Sequence, residues 1–131
     1  MRSRILFISG RPEDARRLAE MLHALPLCVE HVDNVKQAAT RLQQGNYDVI
    51  LADIRLPDMS GFDLLIKLQT VLDPVPLVLM TGFGYDPGHS IVKARQAGLQ
   101  SWAVLYKPFR LDQLLDTVEK MIEFTSTVPQ H

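Results

Sequence analysis

Asp53, Thr81 and Lys107 each follow a short apolar run: Val49 to Ala52 leads into the aspartate, Leu77 to Met80 into the threonine, and Trp102 to Tyr106 into the lysine. A carboxylate, a hydroxyl and an ammonium gathered at one point suit transfer of a phosphoryl group onto the carboxylate. Such a transfer needs little covalent help from protein and depends on charge stabilisation of the transferred oxygens and in-line placement of the acceptor. In that scheme Asp53 accepts, Lys107 supplies the cation and Thr81 a hydrogen-bond donor. Singly, each has a plainer reading, since an Asp after a strand commonly shapes the following turn, and Thr and Lys are ordinary strand-end residues. Three such residues at three run ends favour the chemical reading.

For these side chains to meet, the runs must be parallel strands ending on the same edge of a sheet. The sequence alternates short runs rich in Ile, Val and Leu with longer stretches whose apolar residues recur every three or four positions, the signature of β/α construction. The expected strands are Ile5 to Ile8, Leu27 to Val32, Val49 to Ala52, Leu77 to Met80 and Trp102 to Tyr106. Ala15/Leu18/Ala19/Leu22, Val35/Ala38/Ala39/Leu42 and Leu111/Leu114/Leu115/Val118/Ile122 mark three amphipathic helices. Two more are expected from Gly61 to Leu72 and from Gly88 to Ala97, with Pro74 and Gly98 as stops and Asn34 and Asp112 as helix-start residues. Right-handed crossovers then give an α/β, doubly wound five-stranded parallel sheet in the order 2-1-3-4-5, helices on both faces, with its crevice at the carboxyl ends of the strands.

The stretch from Tyr47 through Asp53 to Leu56-Pro57-Asp58-Met59-Ser60-Gly61, with Thr81-Gly82 and Lys107-Pro108-Phe109, resembles the receiver domains of bacterial response regulators, the CheY-like superfamily. The likeness spans nearly the whole chain and implies the flavodoxin-like fold, a domain over residues 1–124, and a short frayed tail over 125–131. It also implies that Asp53 becomes an aspartyl phosphate, that Thr81 hydrogen-bonds the phosphoryl group and that Lys107 pairs with it. The partners it implies are a sensor histidine kinase or hybrid kinase and a downstream effector.

Where members of that family carry two adjacent magnesium-holding acids after strand one, this chain has Ser9-Gly10. Any magnesium would rest on Asp53 and the backbone carbonyl of Arg55, a weak site for an ion that is usually held by one or two carboxylates with phosphate and water. Glu13 and Asp14 lie close in sequence, but they fall in a first helical turn, where acids are placed for dipole reasons alone; rescue by Asp14 is the less favoured expectation. Self-phosphorylation from small donors is therefore expected to be slow or absent unless high magnesium compensates, and the alternative function is a pseudo-receiver that docks partners without phosphorylation. The loop from Gly82 to Ser90 is about two residues longer than usual, as is the stretch between Gly98 and Lys107. Val104 stands where the family has a switching aromatic; Trp102 and Tyr106, expected on the same strand face, are substitutes, with edge packing the favoured role. His89 is expected to be merely solvated.

A net charge of −1 gives no long-range field for nucleic acid or anionic membranes. No apolar run reaches membrane-spanning length, the first is too short for a signal-peptide core, and the single Cys28 suits a reducing cytoplasm. A haloacid-dehalogenase-like phosphatase would want an acid where Arg55 stands. A flavin or dinucleotide binder would want a phosphate-cradling loop where Ser9 to Asp14 offers one glycine and two acids. The chain is therefore read as a signalling module rather than an enzyme, either free-standing or cut from a larger protein, with a dimer through the fourth helix and fifth strand as an option.

Overall fold

Strands β1 (Ser3–Ile8), β2 (Leu27–Val32), β3 (Val49–Asp53), β4 (Leu77–Gly82) and β5 (Val104–Lys107) form one parallel sheet in the order β2-β1-β3-β4-β5. A computed structural model describes residues 3–22, 26–72, 74–82 and 90–127. Every residue of β3 is buried, as are Leu77 to Thr81 of β4, which is why these runs are apolar at consecutive positions rather than alternating. Each fully buried Ile or Leu here contributes about 1.5–3 kcal/mol over its exposed state. Ile8, Leu51 and Leu79, all at zero exposure, therefore anchor their strands firmly.

The helices are α1 (Pro12–Leu22), α2 (Val35–Gln44), α3 (Gly61–Gln69), α4 (Ser90–Gln96) and α5 (Leu111–Thr127). Right-handed crossovers put α1 on one face and α2, α3 and α4 on the other, while α5 lies against β3 and β4. Asn34 caps α2 as expected, its side chain accepting from the Gln37 amide at 2.9 Å. Ser60 does the same for α3, accepting from the Asp63 amide at 3.1 Å. Gly61 opens α3 because nothing larger fits: a Cβ there would stand 3.0 Å from the Ile54 Cα and 3.0 Å from a Leu79 methyl. This glycine lets α3 begin directly behind the tip of β3.

Several expected boundaries move. The fifth strand begins at Val104, because residues 100–103 form a turn closed by Ala103 N–H donating to the Gln100 carbonyl at 3.0 Å. Trp102 is thereby excluded from the strand, and it packs edge-on against Phe124 with ring centroids 6.0 Å apart. The third helix stops at Gln69 rather than Leu72, where the Thr70 hydroxyl donates to the Lys67 carbonyl at 2.7 Å. Asp112 does not cap α5. It pairs with the Arg110 guanidinium at 3.1 Å, and Gln113 instead accepts from the Arg110 amide at 2.8 Å. The last helix continues through Thr125 to Thr127, and there the Thr125 and Ser126 hydroxyls donate to the Ile122 carbonyl. Gly98 follows α4 with φ +116°, the left-handed turn its stop role requires. The lengthened loop, Gly88 and His89 fall on residues 83–89, outside the described residues.

Candidate functional site

Register brings the sequence-predicted trio to one edge. Asp53 pairs with Met80 across β3 and β4, so Thr81 is the next residue along the neighbouring strand; Gly82, one further, pairs with Lys107 of β5. Asp53 ends a fully buried strand, and its side chain keeps only 10% exposure. The Lys107 ammonium donates to Asp53 Oδ1 at 2.8 Å. Thr81 is buried, and its hydroxyl lies 3.3 Å from the Gly82 carbonyl, with the oxygen accepting.

Asp14 stands in the first turn of α1, as the sequence reading has it, but it does more there than complement the helix dipole. Its Oδ2 accepts from the same Lys107 ammonium at 2.8 Å. Burial opposes a charged Lys107, yet hydrogen bonds from its ammonium to the Asp14 and Asp53 carboxylates outweigh burial and hold its pKa above the usual lysine value. The signal that could have found Asp14 was topological: the first turn after β1 opens at the same sheet edge as the ends of β3 and β5.

At the tip of β1, Ser9 has no exposure and is tied on all sides. Its amide donates to the Val32 carbonyl at 3.1 Å, its hydroxyl oxygen accepts from the Arg11 amide at 3.1 Å, and its carbonyl accepts from His31 Nε2 at 2.9 Å. Gly10 abuts the loop after β3: a Cβ built on it would stand 3.0 Å from Pro57 Cγ. Arg55 is exposed and forms an isolated antiparallel bridge with Ser60. Among the described residues no group of three or more His, Cys, Asp or Glu side chains is gathered as a metal centre would require.

The loop carrying Arg55 and Pro57 is held from a second side. The Asp58 carboxylate accepts from the Val35 and Lys36 amides at 3.0 and 3.1 Å, capping α2 from outside its own segment. Burial works against the Asp58 charge, but those amides outweigh it and set its pKa below the ordinary aspartate value. A cavity of about 350 Å³ opens beside Lys107, walled by Phe7, Asp14, Leu18, Met80 and Phe109. The larger groove, about 770 Å³, lies among Tyr47, Leu68, Leu72 and Thr125, and includes none of the strand-tip residues. Size therefore does not identify the site; the converging polar groups do. Among the described residues no helix is long and apolar enough to cross a membrane.

Comparison with known proteins gives a consistent picture. The profile of the response regulator receiver domain matches residues 5–119. The receiver protein CpdR of Brucella abortus is 31% identical over 123 residues, covering 91% of this chain and 96% of CpdR. The C4-dicarboxylate transport transcriptional regulatory protein DctD of Pseudomonas aeruginosa is 31% identical over 121 residues, covering 92% of this chain but only 25% of DctD, so the match there concerns one part of a longer protein. Among solved structures, the signal receiver domain of an HD domain-containing protein from Pseudomonas fluorescens superposes with a TM-score of 0.84 at 24% identity, covering 98% of this chain and 100% of that one. At that identity the likeness speaks for the fold.

Proposed function

This chain belongs to the response regulator receiver domain family, and from that membership we propose that it is a phosphorylated switch whose Asp53 accepts a phosphoryl group from a kinase phosphohistidine. The contact between Asp53 and Lys107 at the strand tips is the observation that carries the reading. A carboxylate oxygen of Asp53 attacks phosphorus as the P–N bond breaks. The electron pair stays on the imidazole nitrogen, which takes up a proton, and Asp53 is left as an acyl phosphate. Lys107 neutralises part of the charge on the transferred oxygens, and the Thr81 hydroxyl turns from the Gly82 carbonyl to donate to one of them.

The donor set fits a resident magnesium ion poorly. Ser9 and Gly10 bring no carboxylate, and both nearby acids, Asp53 and Asp14, are already engaged by one ammonium. Transfer therefore leans on Lys107, and labelling from small donors is slow. Docking without phosphorylation is the reading that Ser9 and Gly10 would suit, and the cation placed on the Asp53 carboxylate at the strand tips favours the phosphorylated switch over it.

The response would be read on the face of α4 and β5, where Val92 and Tyr106 are exposed apolar side chains and where a partner or a second copy would pack. Cytoplasmic location, and a sensor or hybrid kinase as donor, follow from the same reading. Incubation with phosphoramidate followed by intact-mass analysis tests it. One added phosphoryl group on the native protein and none on Asp53→Asn is the expected result; equal labelling of the variant overturns the assignment.

A further inference from the structure

We propose that Asp14 is a positioning residue for this acceptor chemistry: it holds Lys107 at the strand tips and competes with the phosphoryl group for it. The inference rests on the phosphoacceptor reading of Asp53 and adds to it a residue outside the trio read from the sequence.

Lys107 Nζ contacts Asp14 Oδ2 and Asp53 Oδ1 at the same distance, 2.8 Å. An ammonium has three N–H donors, so two are committed before any phosphoryl group arrives. Asp14 and Asp53 sit on independent supports, the first turn of α1 and the end of β3, which fixes the lysine between two rigid elements. Dipole complementation explains an acid in that turn but not its aim: Glu13, one residue earlier, is exposed and serves the dipole equally well, whereas Asp14 is turned inward onto the lysine.

The consequence is electrostatic. Asp14, Asp53 and Lys107 together carry a formal charge of −1, and phosphorylation replaces the Asp53 carboxylate with a group bearing about two negative charges. Asp14 and the phosphoryl oxygens then draw on one ammonium while facing each other across it. Two anionic oxygens both touching one nitrogen are separated by at most two hydrogen-bond lengths. At the effective dielectric of a partly buried site, their repulsion is worth about tenfold or more in rate. Asp14 thus keeps Lys107 in place in the resting protein and restrains phosphorylation.

The test compares phosphoramidate labelling rates of the native protein, Asp14→Asn, Asp14→Glu, Asp14→Ala and Asp53→Asn at fixed ionic strength, read by intact mass. Asparagine keeps an acceptor for Lys107 without the charge, so Asp14→Asn should label about tenfold or more faster than native. Asp14→Glu restores the charge and should return to within a few-fold of native. Asp14→Ala should fall below Asp14→Asn, because the lysine loses its tether. The gain in Asp14→Asn should shrink with added salt, which a purely structural change would not produce. An Asp14→Asn rate within twofold of native, or an Asp14→Asn protein that takes no label, overturns the role of Asp14. Undiminished labelling of Asp53→Asn overturns the acceptor reading instead.

Discussion

Lys107 and Asp53, 54 residues apart in sequence, meet at 2.8 Å because strands β5 and β3 both end at the same edge. With the Asp53 side chain only 10% exposed, removing the cation leaves two acids, Asp53 and Asp14, facing each other in a partly desolvated space. Loss of one partner of a fully buried pair costs about 3–5 kcal/mol, and the 27% exposure of Lys107 reduces that to about 1–3 kcal/mol. Lys107→Ala should therefore lower the urea midpoint at neutral pH without changing the slope, and should label from phosphoramidate at least about tenfold more slowly. Unchanged stability together with unchanged labelling would mean that the contact carries neither load.

Magnesium should do little to the native protein and more to a variant with the acids restored. A ligand that binds only the folded state adds RT ln(1 + [L]/Kd), so a Kd of about 1 mM at about 10 mM magnesium adds about 1.4 kcal/mol, or about 4–6 °C in Tm for a domain of this size. Ser9→Asp with Gly10→Asp should show a rise of that order, starting from a lower Tm without metal because four acids then crowd one lysine. Position 10 must also displace the Pro57 ring, 3.0 Å from the added Cβ. The native protein should move by less than about 1 °C under the same conditions. A native shift as large as the variant's, measured by calorimetry, would show that Ser9 and Gly10 do not weaken metal binding.

The sheet and the trio were legible because burial on both faces writes strands as unbroken apolar runs, and the polar residue that ends each run marks its tip. Asp14 was not legible in the same way. An acid in a first helical turn has a sufficient local explanation, and only the packing of that turn beside β5 shows that Lys107 takes it up. Trp102 illustrates the opposite error: its apolar character suggested strand, but the turn at 100–103 is held by backbone hydrogen bonding that no side-chain pattern announces. The inter-element cap from Asp58 to α2 was equally hidden, since its partners lie 22 and 23 residues away.

That cap makes a pH-dependent prediction. The amides of Val35 and Lys36 lower the Asp58 pKa despite the opposing effect of burial. A group depressed in the folded state contributes stability above its unfolded pKa and loses it as pH falls through the folded value. Asp58→Ala should cost about 1 kcal/mol at pH 7, in the range of other helix N-caps. The difference from native should shrink steadily below about pH 4, the ordinary aspartate range. Urea unfolding of both proteins from pH 3 to pH 7 measures it; a penalty that persists undiminished at pH 3 would assign the loss to packing rather than to the charge.

Tyr47 and Glu30 make a two-sided prediction away from the strand tips. The Tyr47 hydroxyl donates to Glu30, while the Arg4 guanidinium lies 3.4 Å from the same carboxylate and 4.7 Å from the centre of the tyrosine ring. The hydrogen bond from Tyr47 holds the Glu30 pKa down against burial, with Arg4 adding to it; burial first, and then Glu30, push the Tyr47 pKa up. The lowered acid contributes stability that fades as pH falls through its folded value, and the raised phenol contributes stability that fades as pH rises through its own. A hydrogen bond to a charged acceptor is worth about 1.5–3 kcal/mol when buried, and the 30% exposure of Glu30 reduces it to about 1 kcal/mol. Tyr47→Phe should therefore lose about 1 kcal/mol evenly between about pH 5 and pH 9, and less on either side. Labelling at Asp53 should be untouched, because none of these groups contacts Asp14, Thr81 or Lys107. A penalty close to zero at neutral pH would place the energy of this cluster in the Arg4 cation over the ring, which phenylalanine keeps, rather than in the hydrogen bond.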